Sequence, residues 1–224
     1  LTMPYGECII RAITMGELML SDILGDAVRP EVFWSVDVYG LGAQIPQILA
    51  KTGRKFFLIG EYVGLFYGAQ TEFRRIPFSD FSVFDAPELV LEGIDGSRVL
   101  AHRSSYALHD PAPPAIQPAL PHKSALVFQG MDNVAPHREL VRDIRSLNEA
   151  NGEYKYIITK SPEFFAAVEG CDDIPVFSTE SFVTYWSGIY ESRIRGRLQN
   201  RLLENEILPV EALSTCARVD GFAY

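Results

Sequence analysis

Four side chains with chemical reach stand just after apolar runs that read as buried strands. Asp37 follows residues 32–36, Glu61 follows 55–59, Tyr106 follows 99–102 and Asp132 follows 125–129. In parallel α/β architectures, ligands bind outside the carboxyl ends of the strands. That rule makes these four positions candidates for one site. Two carboxylates at neighbouring strand ends, Asp37 and Asp132, are what cleavage of a glycosidic bond requires. One attacks the anomeric carbon or activates water; the other protonates the leaving oxygen. Taken singly, either carboxylate could instead be a metal ligand or a helix cap.

Such residues need a scaffold that ends its strands side by side. The spacing predicts helices over 6–24, 44–51, 136–148 and from Ser161 to a stop at Gly170, with Ser161 as N-cap and Pro162 at the first position. Short apolar runs predict strands at 32–36, 55–59, 125–129 and 156–158. Two more, at 89–91 and 99–102, flank the turn Asp95-Gly96. Residues 61–86 show no clean period, and 110–121 carry five prolines; both are read as loops. Strand and helix in alternation mark βα units on a parallel sheet. After Pro175 the pattern changes. Residues 194–213 form one long helical pattern rich in Arg, Glu and Leu, which Pro209 should kink or end early.

Composition limits the function classes. The 224 residues are 47% hydrophobic, enough for a sizeable core, and the formal net charge is −9. An acidic surface argues against nucleic acid, whose backbone needs a basic face. No apolar run approaches the roughly 18 to 20 residues of a membrane span. Cys8, Cys171 and Cys216 are odd in number and far apart, so they suggest neither a zinc pair nor a disulfide framework. The chain opens on Leu1 and stops at Tyr224 just past a helical pattern, so both ends are expected to be cut. No targeting segment can be read from it. Compartment and oligomeric state leave no sequence signal.

The residues around Asp37 narrow the choice. Trp34-Ser35-Val36-Asp37-Val38-Tyr39-Gly40, followed by Gln44-Ile45-Pro46-Gln47-Ile48-Leu49, resembles the nucleophile segment of glycoside hydrolase family 38, the retaining α-mannosidases. Further likenesses follow in order. Gly93-Ile94-Asp95-Gly96-Ser97-Arg98-Val99-Leu100-Ala101-His102 resembles the family's hairpin. Gly130-Met131-Asp132 resembles its acid/base stretch, and Tyr185-Trp186-Ser187-Gly188-Ile189-Tyr190-Glu191-Ser192-Arg193 the segment before its helical bundle. Upstream, Gly6-Glu7 with Arg11 matches its first helix motif.

This resemblance implies part of an irregular (β/α) barrel-like domain with a parallel sheet, followed by the start of a helical bundle. Residues 1–178 would be the C-terminal part of the α/β catalytic domain. Residues 179–224 would be a linker and the first helix of a three-helix bundle. It implies hydrolysis of terminal α-mannosides, with Asp37 as nucleophile and as one ligand of a catalytic zinc ion, and Asp132 as acid/base. Trp186 would stack on the sugar, with Tyr106 and Glu61 lining the pocket. Glu61 stands where the family usually carries a basic residue, which reverses the local charge. Asn133 replaces the usual His or Phe after the acid/base. The family's upstream His-x-Asp pair has no counterpart before Asp37. Neither His102, His109, His122 nor His137 stands where the family's late zinc ligand should be. The isolated chain is therefore expected to bind zinc weakly and to be inactive. Of the four, His102 reads as a strand residue held by a hydrogen bond, and His137 as a surface residue at a helix start. Two other readings remain: a degenerate, non-catalytic carbohydrate-binding relative, and a metal-dependent polysaccharide deacetylase on a related scaffold.

Overall fold

A computed structural model describes residues 6–26, 29–35, 40–59, 63–64, 88–103, 106–107, 124–126, 128–129, 134–150, 154–178, 182–183 and 192–222. In chain order the elements begin with α1 (Gly6–Leu24), β1 (Val32–Ser35), α2 (Ile45–Lys51), β2 (Phe56–Ile59) and β3 (Val63–Gly64). Next come β4 (Glu88–Glu92), β5 (Arg98–Arg103), β6 (Tyr106–Ala107), β7 (Phe128–Gln129), α3 (Leu140–Ala150) and α4 (Ser161–Val168). The last are β8 (Val176–Phe177), β9 (Phe182–Val183) and α5 (Ile194–Val219).

The chain is mixed α/β. Its main sheet has five strands in the order β1-β2-β5-β4-β8. Strands β1, β2 and β5 run parallel, β4 returns antiparallel to β5, and β8 lies parallel to β4. The run β1-α2-β2 is the βαβ unit expected from the alternating pattern. Side chains alternate across a strand, so each of the central strands feeds two layers. On one face Phe57, Ile59, Val99 and Ala101 pack with Ile9 and Ile13 of α1 and with Ile45, Ile48 and Leu49 of α2. On the other, Phe56 packs with Phe164, Phe165 and Val168 of α4. Arg54, almost fully buried, ties the start of β2 to α1 through Glu17.

Helices α1 and α2 follow their sequence signals, and Gly25 and Gly53 close them at φ +85 and +80. Four expectations need correction. The helix predicted from Pro136 begins at Leu140, because the carbonyl of His137 takes the Leu140 amide in a turn first. No strand forms at 156–158. Both backbone groups of Tyr156 bond instead to the side chain of Asn148, at 2.7 and 2.9 Å, so a ladder cannot use them. Helix α4 is capped one residue earlier than predicted. Lys160 is the N-cap, and its amide donates to the Glu163 carboxylate, which also accepts from Thr159 Oγ1 at 2.6 Å. Helix α5 does not end at Pro209 but runs on to Val219. Proline removes one hydrogen bond there, and the flanking turns carry the helix past the loss. Strands β8 and β9 were not anticipated at all. Of the strand predicted at 125–129, residues 128–129 form β7, while 124–126 are irregular. The expected loop at 110–121 and nearly all of the one at 61–86 lie outside the described residues.

Candidate functional site at the carboxyl ends of the parallel strands

The parallel register sets the geometry. Ser35 pairs with Ile59, and Ile59 with Arg103, so β1, β2 and β5 end in one row. Asp37 and Glu61 each come two residues after that row in the chain, and Tyr106 three. Strand β6 then pairs in parallel with β7: Tyr106 faces Phe128 and Ala107 faces Gln129. Asp132 comes three residues after Gln129. In chain order Asp37 and Glu61 thus follow adjacent strands of the main sheet, whereas Tyr106 lies in β6 and Asp132 follows β7, the two strands of a separate sheet. Asp37, Glu61, Asp132 and Trp186 themselves lie outside the described residues, and of Tyr106 only the backbone is described.

Below this row the β4–β5 hairpin is braced by α2. Gly93, in the β4–β5 hairpin, lies against α2 so closely that an added Cβ would meet the Gln47 amide nitrogen at 3.0 Å. Lys51 at the end of α2 reaches the hairpin turn, with Nζ 3.0 Å from Asp95 Oδ2. That contact, helped by the amide and hydroxyl of Ser97, lowers the Asp95 carboxyl to about 2. Ser35 ends β1 almost completely buried, and its hydroxyl has no hydrogen-bond partner among the described residues.

One pair escaped the sequence reading in part. His102 was expected to be a hydrogen-bonded strand residue, and it is; its partner, Glu88, was not chosen. Nδ1 of His102 lies 2.8 Å from Glu88 Oε1, both side chains are almost fully buried, and Phe164 meets the imidazole edge-to-face at 5.2 Å. The signal was present, since Glu88 and His102 are equidistant from Asp95, the turn of the hairpin. Among the described residues no group of three His, Cys, Asp or Glu could hold a metal ion. His102 is engaged with Glu88, and His137 Nε2 with Asp143 at 3.2 Å.

The profile of the glycosyl hydrolases family 38 N-terminal domain matches residues 1–188. The chain belongs to glycoside hydrolase family 38. Curated relatives agree: it is 23% identical to human alpha-mannosidase 2C1 over 96% of this chain and 20% of that protein. It is 23% identical to the alpha-mannosidase of Saccharomyces cerevisiae over 99% of this chain and 21% of that protein. The chain thus spans about a fifth of the length of these relatives. The crystal structure of an alpha-mannosidase from Enterococcus faecalis V583 superposes with a TM-score of 0.58 at 18% identity, over 80% of this chain and 20% of that one. At that identity the superposition speaks for the fold. The family-38 profile reaches across the strand row and both carboxylate segments, and stops before α5.

Proposed function

We propose that this chain carries the nucleophile and the acid/base of a retaining α-mannosidase. The supporting observation is the family-38 match over residues 1–188, which spans the segments bearing Asp37 and Asp132. In this reading Asp37 attacks the anomeric carbon of a terminal α-mannoside and Asp132 gives its proton to the departing oxygen. A covalent glycosyl-enzyme results. Asp132, now ionised, takes a proton from water, which attacks the anomeric carbon and frees Asp37. The two carboxyl groups then stand about 5 to 5.5 Å apart, the separation of a retaining pair. Trp186 offers a ring face to the sugar, and Tyr106 and Glu61 bound the pocket. Glu61 accepts hydrogen bonds from sugar hydroxyls where a basic residue would donate them.

Zinc belongs to this reading as one ion with Asp37 among its ligands. When bound it would grip sugar hydroxyls and polarise them. Its remaining ligands are not supplied by the described histidines, so no step above runs through it. The 224-residue chain by itself is expected to bind zinc weakly and to leave aryl α-mannosides intact. The architecture goes with the function: an irregular (β/α) barrel segment over 1–178, then a linker and the first helix of a three-helix bundle over 179–224.

The test is an aryl α-mannoside assay on the longest natural polypeptide that contains this sequence. Hydrolysis should release the α-anomer first. Asp37→Asn should lower kcat at least about a thousandfold, the order seen when a nucleophile is removed. Chelation should abolish turnover, and added zinc restore it. A parent that binds mannosides without cleaving them would instead be a non-catalytic carbohydrate-binding relative.

A further inference from the structure

The β4–β5 hairpin turns through Ile94, Asp95 and Gly96, all three exposed. An Asp-Gly bond at such a place can rearrange, because glycine has no side chain to hinder attack by its own amide nitrogen. The Gly96 nitrogen would attack the Asp95 carboxyl carbon. A C–N bond forms, the carboxyl OH leaves with the amide proton as water, and a five-membered succinimide results. Water then opens the ring at either carbonyl. Opening at the former main-chain carbonyl sends the chain through the aspartate side-chain carbon, as isoaspartate. The backbone of the turn is then one atom longer.

Two conditions govern this step. The carboxyl must hold a proton to lose its OH, and its carbon must lie in line with the glycine nitrogen. The hairpin opposes both. Asp95 Oδ1 accepts from the Ser97 amide at 3.1 Å, which makes an Asx turn. Oδ2 accepts from the Ser97 hydroxyl at 3.0 Å and from Lys51 Nζ at 3.0 Å. The Gly96 amide is itself donated to the carbonyl of Gly93 at 3.0 Å. Swinging the carboxyl carbon toward Gly96 must break these bonds. Every partner of the carboxylate is a donor, so the ionised form is favoured, and the group is lowered to about 2, chiefly by Lys51. A carboxyl about two units below its ordinary value is protonated about a hundredfold less often at any pH above 4.

Ser97 belongs to the hairpin itself. Lys51 comes from another element, the end of α2, so its contact exists only while the hairpin sits on that helix. We propose that Asp95–Gly96 is a latent isomerisation site that Lys51 keeps closed while the hairpin is docked on α2. Undocking frees the carboxylate and opens the site. The rearrangement then makes the undocking permanent. A longer turn displaces the partner of Lys51, and Gly93 lies too close to the Gln47 backbone to shift inward. This inference is independent of the sugar reading.

The experiment ages three samples side by side at about pH 6 and about 37 °C: the 224-residue chain, its Lys51→Met variant, and a free peptide copying residues 92–99. Isoaspartate is counted by enzymatic methylation with protein isoaspartyl methyltransferase and located by peptide mapping. The peptide should isomerise at Asp95 at least about tenfold faster than the folded chain, and the variant at least about fivefold faster. A folded chain that isomerises as fast as the peptide overturns the proposal. So does a folded variant that ages no faster than the wild type. Circular dichroism establishes whether Lys51→Met is folded. If it is not, Ser97→Ala decides in the same assay, since it removes a second donor from Oδ2. If neither variant folds, the contacts are a folding requirement and the guarding role is overturned.

Discussion

Phe165 concentrates the packing of one face of the sheet. Its ring lies parallel to that of Phe56 with centroids 4.8 Å apart, Phe164 meets it edge-on at 5.7 Å, and it is fully buried. Phe165→Ala removes the stack and leaves a cavity that α4 cannot close without shifting. The expected loss is about 3 to 5 kcal/mol, measured by denaturant unfolding. Ser35 presents the opposite case, a buried hydroxyl without a hydrogen-bond partner among the described residues. Ser35→Ala removes the uncompensated group and should leave stability unchanged or raise it by up to about 1 kcal/mol in the same measurement. A clear loss would show that the hydroxyl is satisfied in solution. At this scale the motifs around Asp37, Asp132 and Trp186 pointed to the family to which the chain belongs. The register of the strands did not show in any single residue.

The β4–β5 hairpin shows how an element makes that register. Its turn is held to α2 by Lys51 and Asp95, and its backbone touches α2 at Gly93. Asp95 is held at about 2 chiefly by the hydrogen bond from Lys51, then by Ser97. A carboxyl lowered in the folded state adds stability above its unfolded value near 4 and loses that contribution as pH falls toward 2. Asp95→Asn should therefore flatten the pH dependence of the melting temperature between about pH 4 and pH 2, and change it little at neutral pH beyond a constant offset. Gly93→Ala should destabilise by about 1 to 3 kcal/mol, because the Gln47 backbone must move to admit the methyl group. In α5, Pro209 stands inside a continuous helix, where proline is about 3 kcal/mol worse than alanine. Pro209→Ala should deepen the helical circular dichroism and raise its melting temperature.

These elements also mark how far the sequence could be read. Helices with clean periodicity and glycine stops, α1 and α2, were legible to within a residue, as was the hairpin around Asp95. The misread segments are those where a side chain competes for the backbone. Asn148 took both polar groups of Tyr156, and Glu163 reached back to cap at Lys160. The edge strand β8 spans two residues and joins the sheet only by pairing with β4, a partner distant in the chain, so no local pattern announced it. The strand-end rule pointed to the carboxyl ends of β1, β2 and β5, which the register brings into one row, while Asp37, Glu61 and Asp132 lie outside the described residues. His102 was read as a hydrogen-bonded strand residue, but its partner Glu88 was missed because a glutamate before an apolar run looks like a solvated strand end.

On the scale of the molecule, order is concentrated in the centre of the sheet. Phe57, Ile59 and Ala101 are fully buried, whereas α3 and α5 have no buried residue among those described. Amide hydrogen exchange should be slowest in β2 and β5 and fastest in α5. Along α5, Leu202, Leu203, Ile207, Val210 and Leu213 are all exposed, and Arg11 of α1 reaches Glu211 of that helix. The strand order has a kinetic consequence. Strands β4 and β5 are joined by a tight hairpin, and β1 and β2 through α2; β2 must find β5 across some forty residues, and β8 must find β4 across more than eighty. Loop-closure entropy delays such distant pairings until local ones can reward them. The hairpin that carries Glu88 and His102 should form first, the β1-α2-β2 unit should dock onto it, and β8 should close last. Mutations in the hairpin would then slow folding, while those at Val176 and Phe177 would mainly hasten unfolding, a division that folding and unfolding rates would reveal.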